Sequence, residues 1–176
     1  DAGVSETQST HPAMNLLRLL IGALALLAMA SCGTPGPSPL PASSDIAANG
    51  VEERIVSYVN AKRHSVRKST LARNVRLDSL ARALAARLAN EGRLTHTGFQ
   101  SRFAQAHAET GATQFAENAH SVPPGGDPAR RLVEEWLASR IHRNNMLNGS
   151  WNLTGVGTAT ATSGQTWAVQ VFASAP

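Results

Sequence analysis

A chain of 176 residues with a single cysteine cannot close an internal disulfide, so any domain it builds must stand on its apolar core. From residue 50 onward there is length for one compact domain and too little for two. The 16 basic and 12 acidic side chains leave a formal +4, but no interleaving of basic and aromatic residues accompanies it, which argues against nucleic acid as a partner.

The first segment reads as an export signal. Residue 1 is Asp, and Met14 is the more natural translation start. Arg18 precedes twelve consecutive apolar or small residues, 19–30. That run is too short for a bilayer span of roughly 18–20 residues. It matches the hydrophobic region of a secretory signal, about 7–15 residues long. The run closes on Met29-Ala30-Ser31-Cys32, which resembles a bacterial lipobox with Met where Leu is usual, and which puts the lone cysteine where lipidation would fall. A lipid anchor in the cell envelope is the reading that follows. Free secretion after cleavage at Ala28-Met29-Ala30 and an uncleaved anchor are the alternatives.

Residues 1–32 are thus expected to be upstream residues and signal peptide, 33–49 a linker, and 50–176 the domain. In the linker Pro35, Pro37, Pro39 and Pro41 alternate with small residues, a pattern that favours extended polyproline II at about 3.1 Å per residue.

Four elements follow. Over 51–63, Val51, Ile55, Val56 and Val59 recur at helical spacing. Asp78 is the expected N-cap of a second helix with Leu80, Leu84 and Leu88 in one stripe, ending near Gly92. Asp127-Pro128 is a cap followed by proline at the first helical position, and opens a helix through Leu132, Val133, Trp136 and Leu137. In the tail, Val156-Thr158 and Trp167-Val169-Val171 point one way every second residue around a turn at Thr162-Ser163-Gly164-Gln165, a hairpin. A short strand through Glu117 and His120 adds to it. Helices first and an antiparallel sheet after them predict α+β packing.

Beyond residue 32 the charge is +5, from 15 basic and 10 acidic side chains. Six of the basic ones, Lys62, Arg63, Arg67, Lys68, Arg73 and Arg76, fall within fifteen residues. They read as a solvated loop, or more sharply as a contact for anionic lipid headgroups or wall polymers.

Chemistry-bearing residues stand in three cassettes: Thr95-His96-Thr97-Gly98, Ala116-Glu117-Asn118-Ala119, and Trp136-Leu137-Ala138-Ser139-Arg140-Ile141-His142-Arg143-Asn144-Asn145-Met146-Leu147. His96 follows a glycine break after the second helix. Asn118 can fix the strand that carries Glu117. On an unbroken helix Ser139 and His142 would share a face. Trp136, Trp151 and Trp167 read as packing residues.

In this order, and followed by Gly155-Val156-Gly157 and Trp167-Ala168-Val169-Gln170-Val171-Phe172, the cassettes resemble the CAP superfamily of cysteine-rich secretory proteins, venom allergens, plant pathogenesis-related proteins and bacterial relatives. The resemblance covers about 51–172 and implies a three-layer α-β-α sandwich. It also implies a site of His96, Glu117 and His142, with Ser139 in place of a glutamate found in many eukaryotic members. Two motifs depart from the pattern: Ala116 stands for a usual glycine, and Arg140-Ile141 for Pro-Gly, so the turn delivering His142 must be built differently.

No cofactor is required by this reading. The resemblance does imply that a divalent metal such as zinc can sit between His96 and His142; two imidazoles and a carboxylate would suffice for a three-ligand site with one position open, which makes Glu117 an optional further ligand. Three functions follow. The first is an envelope-tethered or secreted module that binds a lipid, a wall-derived ligand or a metal through His96, Glu117, Asn118, Ser139 and His142. The second is a hydrolase of peptidase type, using Ser139 with His142 or His96 as base and Glu117 as orienter, or a metal-activated water with Glu117 as base. Ser139 lacks a nucleophile elbow, which counts against the first version. The third is an interaction protein with a vestigial site.

Overall fold

The computed structural model describes residues 43–176, which lie within one unit, Leu40–Pro176. The expected signal peptide, Cys32 and the linker up to residue 42 lie outside the described residues. The first helix, α1, runs Ser43–Ser65 and so begins inside the stretch expected to be linker. Pro41 is the last proline of that run, and the alanines that follow favour helix. Among the described residues no helix is long and apolar enough to cross a membrane.

After α1 come β1 (Ala72–Arg73), α2 (Val75–Glu91), α3 (Phe99–Thr110), β2 (Gln114–Val122), α4 (Pro128–Ala138), α5 (Arg140–Leu147), β3 (Leu153–Thr160) and β4 (Thr166–Ser174). The sheet order is β1-β3-β4-β2, so β2 is an edge strand. Its two long pairings, β2 with β4 and β3 with β4, are antiparallel as expected, while the two-residue β1 pairs parallel with β3.

Strand alternation builds a core on each face. Ala168 and Phe172 join Trp136, Met146, Trp151, Ile55 and Val59, under α1, α4 and α5. Trp167, Val169, Val171 and Ala173 join Leu77, Leu80, Leu84 and Leu88, under α2 and α3. The two alternations of the tail therefore serve opposite layers, since Val156 belongs to the first core. All three tryptophans are buried. The result is helices on both faces of a mixed sheet, the three-layer α-β-α arrangement.

Gly155 and Gly157 explain how closely α2 lies on β3. A Cβ at Gly157 would stand 2.0 Å from the Arg82 amide nitrogen, and one at Gly155 would stand 2.2 Å from the Leu77 carbonyl carbon. Only hydrogen fits at either place.

Asp78 is not the cap of α2. Asn74 is, with its side-chain oxygen accepting from the Arg76 and Leu77 amides. Asp78 sits one turn inside, buried, where it accepts from the Val156 amide at 2.8 Å and pairs with Arg73. The buried Glu52 of α1 pairs with Arg73 and Arg82 and accepts from the Thr158 amide. Unpaired, either carboxylate would be expensive to bury; in this network both are satisfied.

The basic run is also divided. Arg63 is fully buried and donates to the carbonyls of Ser69, Met146 and Asn148, which binds the end of α1 to the end of α5. Arg73 is spent on the acidic network. Of the six, only Lys62, Arg67, Lys68 and Arg76 are left to face solvent.

Candidate functional site

The loop that carries His96 starts where Gly92 ends α2 in a left-handed conformation. Thr95 Oγ1 accepts from the Thr97 amide, and the Thr97 carbonyl accepts from both Arg87 and Arg102. Gly98 then takes φ 81° as it opens α3. A non-glycine residue there would be strained, and its Cβ would stand 3.2 Å from Arg102 Nη1.

Glu117 lies on β2 with its side chain 1% exposed. The strand is regular through Ala116, which pairs with Phe172, so the missing glycine costs the backbone nothing here. His96 Nδ1 stands 3.1 Å from Glu117 Oε2, while the imidazole remains 52% exposed. The Arg102 guanidinium spans the carboxylate, with Nε on Oε1 and Nη2 on Oε2 at 2.8 Å. Burial alone would raise the Glu117 carboxyl, but hydrogen bonds from Arg102 and His96, and their charges, outweigh it and hold it below the ordinary carboxylate range.

Asn118 faces the other layer. Its side-chain amide donates to the His142 carbonyl at 3.0 Å, and its oxygen accepts from Asn145 at 2.9 Å. The Asn145 carbonyl in turn accepts from the Trp151 indole. This relay holds α5 against the edge strand. Helix α4 ends at Ala138, and Ser139, at ψ 123°, separates it from α5. The unbroken helix that would have put Ser139 and His142 on one face does not form. Arg140 and Ile141 become the first turn of α5 in place of a Pro-Gly turn. Among the described residues the Ser139 hydroxyl makes no hydrogen bond to either histidine.

His142 is thus brought to β2 from the opposite layer to Glu117, without a hydrogen bond between them. Burial pushes its imidazole below the ordinary value, and the charges of His120 and His96 push the same way. The structure therefore unites His96 with Glu117, brings His142 within electrostatic reach of His96, and leaves the Ser139 hydroxyl without a hydrogen bond to either histidine.

Two participants escaped the sequence reading. Arg102 lies on α3, a helix whose Phe99, Phe103 and Ala106 were its only signal. His120, two residues beyond Asn118 on the same strand face, stands 3.8 Å from Glu135 of α4.

The three-ligand metal set that would include Glu117 is not assembled. Among the described residues no group of three or more His, Cys, Asp or Glu side chains is gathered as a metal ion needs. Both Glu117 oxygens are already taken by Arg102 and His96. Away from these residues, Tyr58 of α1 and Arg130, Val133, Glu134 and Leu137 of α4 line a depression of about 300 Å³.

Residues 56–172 match the model of the cysteine-rich secretory protein family, CAP. The fold is similar to that of an outer surface protein from Borrelia burgdorferi, with a TM-score of 0.62 at 20% identity over 72% of this chain and 94% of that one. An extracellular protein containing an SCP domain from Bacillus anthracis gives 0.62 at 19% identity, over 77% of this chain and 45% of that one. A cysteine-rich secretory protein from Staphylococcus aureus gives 0.57 at 17%, over 72% and 39%. The chain thus spans less than half the length of the last two. A comparison with curated proteins gave no match.

Proposed function

The chain belongs to the cysteine-rich secretory protein (CAP) family, and from that premise we propose that its domain is a binding module of the cell envelope whose site takes a carboxylate-bearing, wall-derived or lipid ligand. The observation that carries this reading is the Arg102–Glu117–His96 network. The guanidinium cancels the buried negative charge of Glu117, so the groups left to meet a ligand are the imidazoles of His96, His142 and His120. Neutral or protonated, imidazoles hydrogen-bond to an anion, and the attraction grows as they charge.

Placement at the envelope rests on the lipobox at Cys32. The similar proteins from Borrelia burgdorferi, an outer surface protein, and Bacillus anthracis, an extracellular one, agree with it. Secretion without the lipid is the alternative. The hydrolase reading loses support because Glu117, its proposed base, is paired with Arg102, and the Ser139 hydroxyl makes no hydrogen bond to either histidine.

The test is a calorimetric titration with a wall-type peptide bearing free carboxylates and with its amidated counterpart. The carboxylate form should bind more tightly, and more so as pH falls through the depressed value at which His142 charges. The preference should weaken in the double variant His96→Ala/His142→Ala. Equal binding of both peptides, or binding indifferent to both histidines, would remove the proposal.

A further inference from the structure

Four oxygens converge on one side chain at this site. Glu117 Oε1 and Oε2, the His96 carbonyl and the Thr97 carbonyl all accept hydrogen bonds from the Arg102 guanidinium. Carboxylate and carbonyl oxygens around a single centre are the surroundings that a hard cation takes. Here the centre is a guanidinium, tethered to α3 and only 13% exposed.

We propose that Arg102 is the resident cation of this carboxylate: it occupies both oxygens of Glu117 and so bars a divalent metal from using them as ligands. The disagreement between the implied ligand set and the observed geometry is the basis of this inference. A carboxylate as buried as that of Glu117 must be neutralised. A metal could do so only when supplied, whereas an arginine in the same chain does so always. Its planar fork matches the two carboxylate oxygens and leaves Nη1 for the loop carbonyl.

Arg102 is in this sense a specificity-determining residue. It bars cations from Glu117 and leaves His96 beside a cancelled charge. Removing it would expose a carboxylate 3.1 Å from an imidazole nitrogen, the beginning of a zinc site.

The experiment uses the full chain and zinc alone, titrated by calorimetry, with thermal unfolding in parallel. R102Q should bind zinc on the order of 10–100-fold more tightly than wild type, the range over which a site's supporting groups commonly act. The double variant R102Q/E117Q should lose that gain. Wild type should keep its midpoint in the presence of a chelator. No gain in R102Q, or a gain that survives E117Q, overturns the inference. If R102Q is too unstable to titrate, the wild-type background decides: zinc binding that falls when Glu117→Gln is introduced alone shows that the carboxylate was free for metal, and overturns it, whereas binding that does not depend on Glu117 supports it.

Discussion

Asn118 donates its side-chain amide to the carbonyl of His142 at 3.0 Å, so the residue beside the buried Glu117 on β2 sets where α5 holds its histidine. Glu117 and Asn118 are neighbours in sequence and opposites in space. One faces α2 and α3, the other α4 and α5, and a single stretch of edge strand serves both.

Asn118→Ala should therefore cost stability and disturb His142. Asn118 is fully buried and uses its donor and its acceptor across to α5. Removing both takes a donor from the His142 carbonyl and an acceptor from the Asn145 amide, which keeps only its longer contact with the Glu117 carbonyl, at about 1–3 kcal/mol in all. Urea denaturation should show the loss, and the His142 ring resonances should shift. Unchanged resonances would contradict the positioning role.

Breaking the Arg102–Glu117 pair from one side should cost more than removing it from both. Arg102→Met leaves a buried carboxylate uncompensated, for which about 3–5 kcal/mol is expected. Adding Glu117→Gln should restore part of it. A double-mutant cycle with no coupling would mean the pair contributes nothing as a pair.

Gly157→Ala should be among the most damaging single-methyl additions in the chain. The new Cβ would lie 2.0 Å from a backbone nitrogen of α2, which cannot step aside as a flexible side chain would. The expected loss is at or beyond the upper end of the roughly 1–3 kcal/mol typical of overpacking. Denaturant midpoints read this directly.

Acid should weaken the fold through two groups in turn. The His142 imidazole sits below its ordinary value in the folded chain, so the unfolded chain binds its proton first; the associated stability is present above about pH 6.5 and is lost as pH falls through the depressed folded value. Glu117, also depressed, contributes stability above about pH 4.5 that is lost as pH falls further. Denaturant midpoints between pH 7 and 4 should decline, and His142→Gln should flatten the upper part of that decline. An NMR titration placing the His142 midpoint at or above the ordinary imidazole value would contradict this.

Cys32→Ser should release the domain from the membrane fraction if the lipobox is used. Retention in that fraction, followed by immunoblot, would contradict the lipid anchor.

Much of the architecture was legible along the chain because period and punctuation are local. Asp127-Pro128, the Gly92 stop and the alternation after Gly155 each specify an element from neighbours alone. Helix α3 was not legible, since Ala106 is its one fully buried residue and its phenylalanines rest on Phe115 from another element. The choice of cap for α2 was not legible either: Asn74 and Asp78 are both good caps, and what separates them is the Val156 amide and Arg73, which draw Asp78 into the interior.

The sequence by itself determined the family and named the residue types of the candidate site, His96, Glu117, Asn118 and His142, because cassette spacing and side-chain chemistry survive without coordinates. The tertiary structure alone decided which charges are buried and what answers them. Arg63 looked like one of six surface cations and is an interior clamp; Arg102 looked like nothing and neutralises the site's carboxylate. The energy of a charge depends on the solvent it loses and the dipoles it gains, and both are set by chain segments that meet only on folding.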